Sequence, residues 1–267
     1  MARAQRIFAG RKFRLGPLTR TNDPKESKDW RFTLTGSSVD ELMASCDEAL
    51  STQFSLALKG RTKVGCFSTD SAPLSGDHTR DFYRRGFSKP RMWAHYADKH
   101  AGVCLAFDKR KLDQQIRTQV PAGDEVLSGP VEYVSRYFVS RIDEGDYQIN
   151  IGVVQKIGID RYARLHRKTF CQRLFFQKMH DWRDETEFRW VIFSQTEAEL
   201  YIDFGDTLTG VIFGDRVSDS EVEQALRNLP LDVQVMGVKW KNCGAWYDFG
   251  ALRYNRQFRA ETGLYSG

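Results

Sequence analysis

The segment Lys178–Phe193, KMHDWRDETEFRWVIF, constrains the fold more than any other stretch of the chain. Along a β-strand successive side chains point to opposite faces. Strand alternation puts Glu185, Glu187 and Arg189 on one face and Phe188, Trp190 and Ile192 on the other. An apolar row of this kind must be buried against a second layer, so the strand belongs to a sheet backed by other elements. The charged row admits two readings, a solvated sheet surface or the floor of a polar cleft. Two neighbouring carboxylates disfavour each other's ionisation while Arg189 offsets this, and such groupings recur at active sites.

The remaining pattern mixes helices and strands without a regular βαβ rhythm. Arg6–Arg14 reads as an edge strand or an irregular arm. Thr21–Lys28 (TNDPKESK) is a turn, because Asn and Asp bond their own backbone and Pro24 fixes φ. Ser38-Val-Asp-Glu41 and Ser218-Asp-Ser-Glu221 are capping-box patterns that open helices. Pro90 suits the first turn of a helix over Arg91–Ala97, and Asp108 can cap a helix over Lys109–Ile116. Strands are expected over Lys63–Ser68, Gly102–Phe107, Val131–Val134, Glu187–Ser194, Glu199–Phe204, Leu208–Phe213, Asp232–Trp240 and Ala245–Tyr254. Pro121–Gly129 reads as a turn-rich link, and Ile149–Lys178 as the longest helical stretch. These elements predict one α+β domain over residues 1–267, with a mixed, largely antiparallel central sheet flanked by helices. No Pro/Gly/Ser-rich linker divides it.

Composition narrows the class. Of 267 residues 41% are hydrophobic and 28% charged, the balance of a folded globular chain. No run of about 18 apolar residues is present, so a membrane span is not expected. The basic start, Met1–Arg20, lacks the apolar core of a secretory signal. Cys46, Cys66, Cys104, Cys171 and Cys243 are widely spaced, odd in number and free of CxxC pairs. That spacing fits a reducing cytoplasm rather than a disulfide framework or structural zinc. Cys66 and Cys104 sit in apolar runs and read as buried small hydrophobes. The first hundred residues hold 18 basic against 11 acidic side chains, and residues 196–267 hold 7 against 11. A basic first third either attracts a nucleic acid or phosphate-bearing ligand or is a solvated surface with scattered Arg.

A second candidate segment is Arg91–Asp108, RMWAHYADKHAGVCLAFD. On a helix Trp93 and Tyr96, three apart, share a face, and His95 beside them is suited to proton transfer near neutral pH. Trp93 and Tyr96 either wall a flat ring or anchor the helix to the core. His95 and His100 are five apart, not the i, i+4 of a helical metal pair, so no metal is expected. Dinucleotide-binding, Walker and nucleophile-elbow motifs are lacking.

Four segments together resemble the bacterial domain of unknown function 2971. They are Asn22-Asp23-Pro24-Lys25-Glu26; Gly65-Cys66-Phe67-Ser68; Met92–Asp98 running through His100 to Gly102-Val103-Cys104; and Phe176–Arg189, with Lys178, Trp182, Glu185, Glu187 and Arg189. The resemblance spans about residues 10–215, leaving 216–267 as an additional helix and strands. It implies a bacterial protein, with some members associated with defence or mobile elements. The strand that usually opens the family, upstream of NDPKE, is missing or rebuilt here, with Arg11, Lys12 and Arg14 as the nearby basic residues. An early basic residue followed by a late Glu-x-Glu strand is also similar to ADP-ribosyltransferases.

That second similarity implies cleavage of the nicotinamide N-glycosidic bond of NAD, with NAD as substrate and no metal. Glu187 would stabilise the oxocarbenium-like ribose, and Glu185, with His95, would handle the acceptor's proton. Trp93 or Tyr96 would wall the nicotinamide, and Arg189 or an N-terminal base would hold pyrophosphate. Lys178, Asn22, Asp23 and Ser68 complete the implied binding set. The acceptor would be a protein, a nucleic acid or water. Two other functions fit the sequence: a nucleic-acid-binding protein or nuclease, and a non-catalytic sensor or interaction domain.

Overall fold

The structure is a computed structural model that describes residues 1–36, 48–135, 145–242 and 244–266. The capping box at Ser38–Glu41, Cys46 and Cys243 lie outside the described residues. The strands are β1 (Lys12–Pro17), β2 (Thr33–Thr35), β3 (Thr62–Ser68), β4 (Val103–Phe107), β5 (Glu125–Pro130), β6 (Glu132–Val134), β7 (Gln148–Asn150), β8 (Gln177–Met179), β9 (Glu187–Phe193), β10 (Leu200–Asp203), β11 (Leu208–Phe213), β12 (Gln234–Lys241) and β13 (Gly244–Tyr247). The central sheet runs β10-β1-β3-β9-β5 and is antiparallel throughout. A second sheet runs β13-β12-β11-β4. In it β11 and β12 are parallel, as their helical connection requires, and the other pairs antiparallel. The pairs β2–β7 and β6–β8 are short parallel ladders. The architecture is α+β, with a largely antiparallel central sheet flanked by helices.

Strand alternation decides how the central sheet packs. Trp190 and Ile192 of β9, Leu15 of β1 and Ile202 of β10 pack under the Lys109–Gln119 helix through Leu112 and Ile116. Asp108 caps that helix, accepting from the backbone N–H groups of Arg110 and Lys111. On the opposite face Val64, Val191 and Phe193 meet Phe54 and Leu58 of the Glu48–Lys59 helix and Phe175 of the Ile159–Phe175 helix. The Pro90–Tyr96 helix packs on the second sheet. The helices Ala2–Gly10 and Asp219–Leu226 share another apolar cluster with β11.

Four sequence expectations change. Arg6–Arg14 is neither an edge strand nor an arm: the helix Ala2–Gly10 ends on Arg11, left-handed at φ 49°, and β1 enters the interior of the central sheet. An opening strand is therefore present. Ile149–Lys178 is not one helix, because Gly158 at φ 80° separates Ile151–Ile157 from Ile159–Phe175 and β8 follows. The expected link Pro121–Gly129 contains most of β5, whose alternation Gly and Ser residues disguise. The last expected strand stops at Tyr247, and Phe249–Tyr254 is a 3-10 turn capped by Asp248.

One backbone feature lies next to the Pro90–Tyr96 helix. Asp98, Lys99 and His100 are all left-handed, with φ of 49°, 50° and 73°, a run that costs about 1 kcal/mol or more per non-glycine residue. It is tied to the end of β11 by Gly214 N–H donating to Gly102 O (3.0 Å) and Arg216 N–H to His100 O (3.1 Å). A Cβ on Gly214 would lie 2.3 Å from the His100 carbonyl oxygen.

Candidate functional site

In the central sheet Arg189 lies across from Cys66 of β3 and Gly129 of β5, and Glu187 across from Ser68. These positions share one face. Glu185 does not belong to the strand: it ends a 3-10 segment, His180–Glu185, and Thr186 at φ 40° turns the chain into β9. That turn folds Lys178 of β8 back over Glu185 and Glu187, so the two carboxylates meet through a lysine rather than through strand alternation.

The charges form one connected chain. The Glu187 carboxylate accepts from Arg189 Nε at 2.6 Å and faces Lys178 Nζ at 2.7 Å. Lys178 Nζ also donates to Glu185 at 2.9 Å. The other Glu185 oxygen accepts from the Tyr96 hydroxyl at 2.6 Å, and Asn22 Nδ2 donates to that hydroxyl at 2.7 Å. At the inner end Arg189 Nη1 lies 2.6 Å from Glu26 Oε1 and donates to Phe175 O at 2.8 Å. Tyr133 Oη accepts from the Glu187 N–H at 2.8 Å. Lys178 Nζ lies 5.4 Å from the Trp182 ring. Arg189 is 0%, Glu26 2%, Lys178 3% and Glu187 4% exposed. Of the two sequence readings of the charged face, the solvated surface is therefore wrong for Glu187 and Arg189.

Burial and pairing set the protonation states. Burial alone would raise the Glu187 carboxyl, but Arg189 and then Lys178 outweigh it and hold the group down to about 2. Lys178 shows the mirror effect: burial would lower it, while Glu187, Glu26 and Glu185 hold it above its usual range. Burial pushes the Tyr96 phenol up, helped by its bond to Glu185, so it remains a proton donor to that carboxylate. Burial lifts Tyr133 to about 12. Lys25 is lowered by burial to about 8, and its ammonium donates to the Arg173 and Gln177 carbonyls at 2.8 Å each. Asp23 is raised, first by burial and then by Glu26.

The structure brings together Glu187, Glu185, Lys178, Arg189, Tyr96 and Asn22. Asp23 stands just beyond, buried, capping the Pro24–Ser27 turn by accepting from Lys25 N–H. Ser68 Oγ lies 3.5 Å from Thr186 Oγ1 at the edge of the same face. His95 is exposed, its ring 6.3 Å from that of Tyr96, beside a shallow dimple shared with Arg91, Trp182 and Glu185. Trp93 is elsewhere. It is buried against Phe82, Ala97 and Ile212, and its indole N–H donates to Phe87 O at 2.5 Å. Of the two expectations for the pair, Trp93 is a core anchor, while Tyr96, closing the helix, is half exposed at the cluster. Arg11 donates to Gly205 O and Arg14 to Glu199, both away from the acids.

Sequence reasoning passed over three members. Glu26 and Lys25 were visible only as part of the NDPKE segment. Asp23 as cap and Pro24 at the first position make that segment a helical turn, which carries Glu26 inward to Arg189. Tyr133 had no sequence signal. Cys66 also departs from expectation: the residue is exposed. It is nonetheless densely surrounded, so burial, with Glu187 beside it, pushes it well above the ordinary thiol value.

Among the described residues no three His, Cys, Asp or Glu side chains are grouped to hold a metal ion. No described helix is long and apolar enough to cross a membrane.

Residues 92–190 match the model of a family described as a protein of unknown function, DUF2971. The matched stretch runs from the Pro90–Tyr96 helix to β9 and contains Tyr96, Lys178, Glu185, Glu187 and Arg189. Asn22, Glu26 and Cys66 fall before it. No curated protein and no solved structure matches the chain.

Proposed function

We propose that the charged cluster is the catalytic end of an ADP-ribosyltransferase-like enzyme, a cytoplasmic NAD-consuming effector of bacterial defence. The observation that carries this reading is a pair of buried carboxylates joined through Lys178, one of which accepts from a half-exposed tyrosine. Glu187 is kept ionised by Arg189 and Lys178, while Glu185 reaches the half-exposed Tyr96 hydroxyl. In the proposed reaction the bond between ribose C1′ and the nicotinamide nitrogen breaks, and nicotinamide leaves with the electron pair. The field of Glu187 stabilises the cation left on the ribose. An acceptor lone pair then forms the new bond to C1′, and Glu185 takes the acceptor's proton. Tyr96 and Asn22 orient Glu185. Arg189 is fully buried and paired, so in this reading it positions Glu187 and does not hold pyrophosphate.

Incubation of the protein with NAD and a cell extract, scoring nicotinamide release, tests the reading. Glu187→Gln and Glu185→Gln are expected to abolish release with far-UV circular dichroism unchanged. Release at the wild-type rate from a folded Glu187→Gln protein overturns it.

The near-complete burial of Arg189, Lys178 and Glu26 favours a second reading, a non-catalytic sensor or interaction domain whose charges fix the fold. It predicts no nicotinamide release from the wild type under any acceptor supplied.

A further inference from the structure

Away from the charged cluster, a hollow of about 180 Å³ lies between the end of the Ala2–Gly10 helix, the turn joining β10 to β11, and the loop Leu229–Val233. Its floor is Phe8, Phe204, Leu208, Leu229 and Val233, all buried. Its walls are held by cations bonded to carbonyls. Arg11, left-handed at φ 49°, donates through Nη2 to Gly205 O at 2.6 Å, and Gly205 is itself at φ 54°. Across the hollow the buried Arg259 donates to the carbonyls of Leu229 (3.0 Å), Pro230 (2.8 Å) and Val233 (2.8 Å). Such charge-assisted bonds fix the turn on one side and the loop on the other. Its volume is of the order of the ~150 Å³ apolar cavity that takes up benzene.

The polar groups on the lining are mostly acceptors. Asn228 donates through Nδ2 to Gln224 O at 3.4 Å, leaving its Oδ1 as an acceptor. Asp206 is paired with Lys111 at 2.6 Å. Asp232 makes no ion pair among the described residues, and Lys111 and Arg259 sense its charge only at longer range. Arg11, the one basic side chain among the described lining residues, is turned onto Gly205 O, and its charge is felt by Asp206. An apolar floor with an exposed carboxylate, Asp232, and an amide oxygen at its rim suits a cation attached to an apolar body.

We propose that this hollow binds a small organic ammonium ion, an amine borne on one aromatic ring or a short aliphatic chain. The proposal is independent of the reading given to the Glu187 cluster. Benzylamine, benzyl alcohol and benzoate, titrated into the full chain and followed by NMR shifts of residues around the hollow, test it. Benzylamine is expected to bind saturably and more tightly than the other two. Asp232→Asn is expected to weaken it roughly fivefold, the effect of one exposed charge pair. Asn228→Trp, which fills the mouth, is expected to abolish binding, and Glu185→Gln to leave it unchanged. Absence of saturable benzylamine binding, equal or tighter binding of the alcohol or benzoate, or unaltered affinity in Asp232→Asn overturns the proposal.

Discussion

Strand β9 is buried equally on both faces but by opposite means. On one face Trp190, 1% exposed, packs with Leu15, Ile116 and Ile192 and donates its indole N–H to Asp113 at 2.8 Å. On the other Arg189, 0% exposed, sits among Glu187, Glu26 and Lys178. The apolar face is stabilised by area removed from water, each side chain contributing on its own. The charged face is stabilised only as a set, because each ion's desolvation is offset by its partners. Equal burial therefore hides unequal sensitivity to conditions.

The largest expected effects separate the two faces by kind rather than size. Arg189→Met leaves Glu187 and Glu26 undercompensated and is expected to cost about 3–5 kcal/mol. Trp190→Ala opens a cavity and is expected to cost a similar ~3–5 kcal/mol. Urea denaturation at several pH values distinguishes them. The deficit of Arg189→Met narrows strongly as pH falls below the usual carboxylate range, since the freed acids take up protons, while that of Trp190→Ala changes far less, through the single Asp113 bond it removes. A constant deficit in both would break the contrast.

Next in size is acid sensitivity of the wild type. Glu187 is lowered from 4.5 to about 2. A carboxyl depressed on folding contributes stability that is complete above its unfolded value and lost as pH falls through the folded one. About 3 kcal/mol is therefore expected to disappear between pH 4.5 and 2, and to be absent in Glu187→Gln. Tyr96→Phe removes the donor at the half-exposed end of the chain and is expected to cost about 1 kcal/mol in stability. Smallest is Arg14→Ala, which breaks an exposed pair with Glu199 and is expected to leave the urea midpoint nearly unchanged.

The contrast between the faces was legible in the sequence from EFRWVIF alone, because a period of two fixes which residues share a face. The depth of the charged face was not legible. Alternation says nothing about what covers a sheet, and the cover here comes from Glu26, more than 160 positions away in the chain, and from Lys178 returning through a left-handed Thr186. Glu185 illustrates the same limit. Strand alternation groups it with Glu187, yet a turn rather than a strand delivers it. Trp93 and Tyr96 have helical spacing that permits a common face, yet the helix ends at Tyr96 and their surroundings diverge. The β1 strand was hidden because KFRLGP lacks a clean apolar alternation, and its place was settled by pairing with β3 and β10.

The three left-handed residues after Tyr96 join this cluster mechanically to the other sheet. A methyl group on Gly214 would strike the His100 carbonyl, in a stretch whose backbone is already strained. Displacement would pass back along a short, stiff segment to the tyrosine that holds Glu185. A residue with no polar side chain, at the end of β11, thus packs its bare Cα against the segment that follows the tyrosine bonded to Glu185.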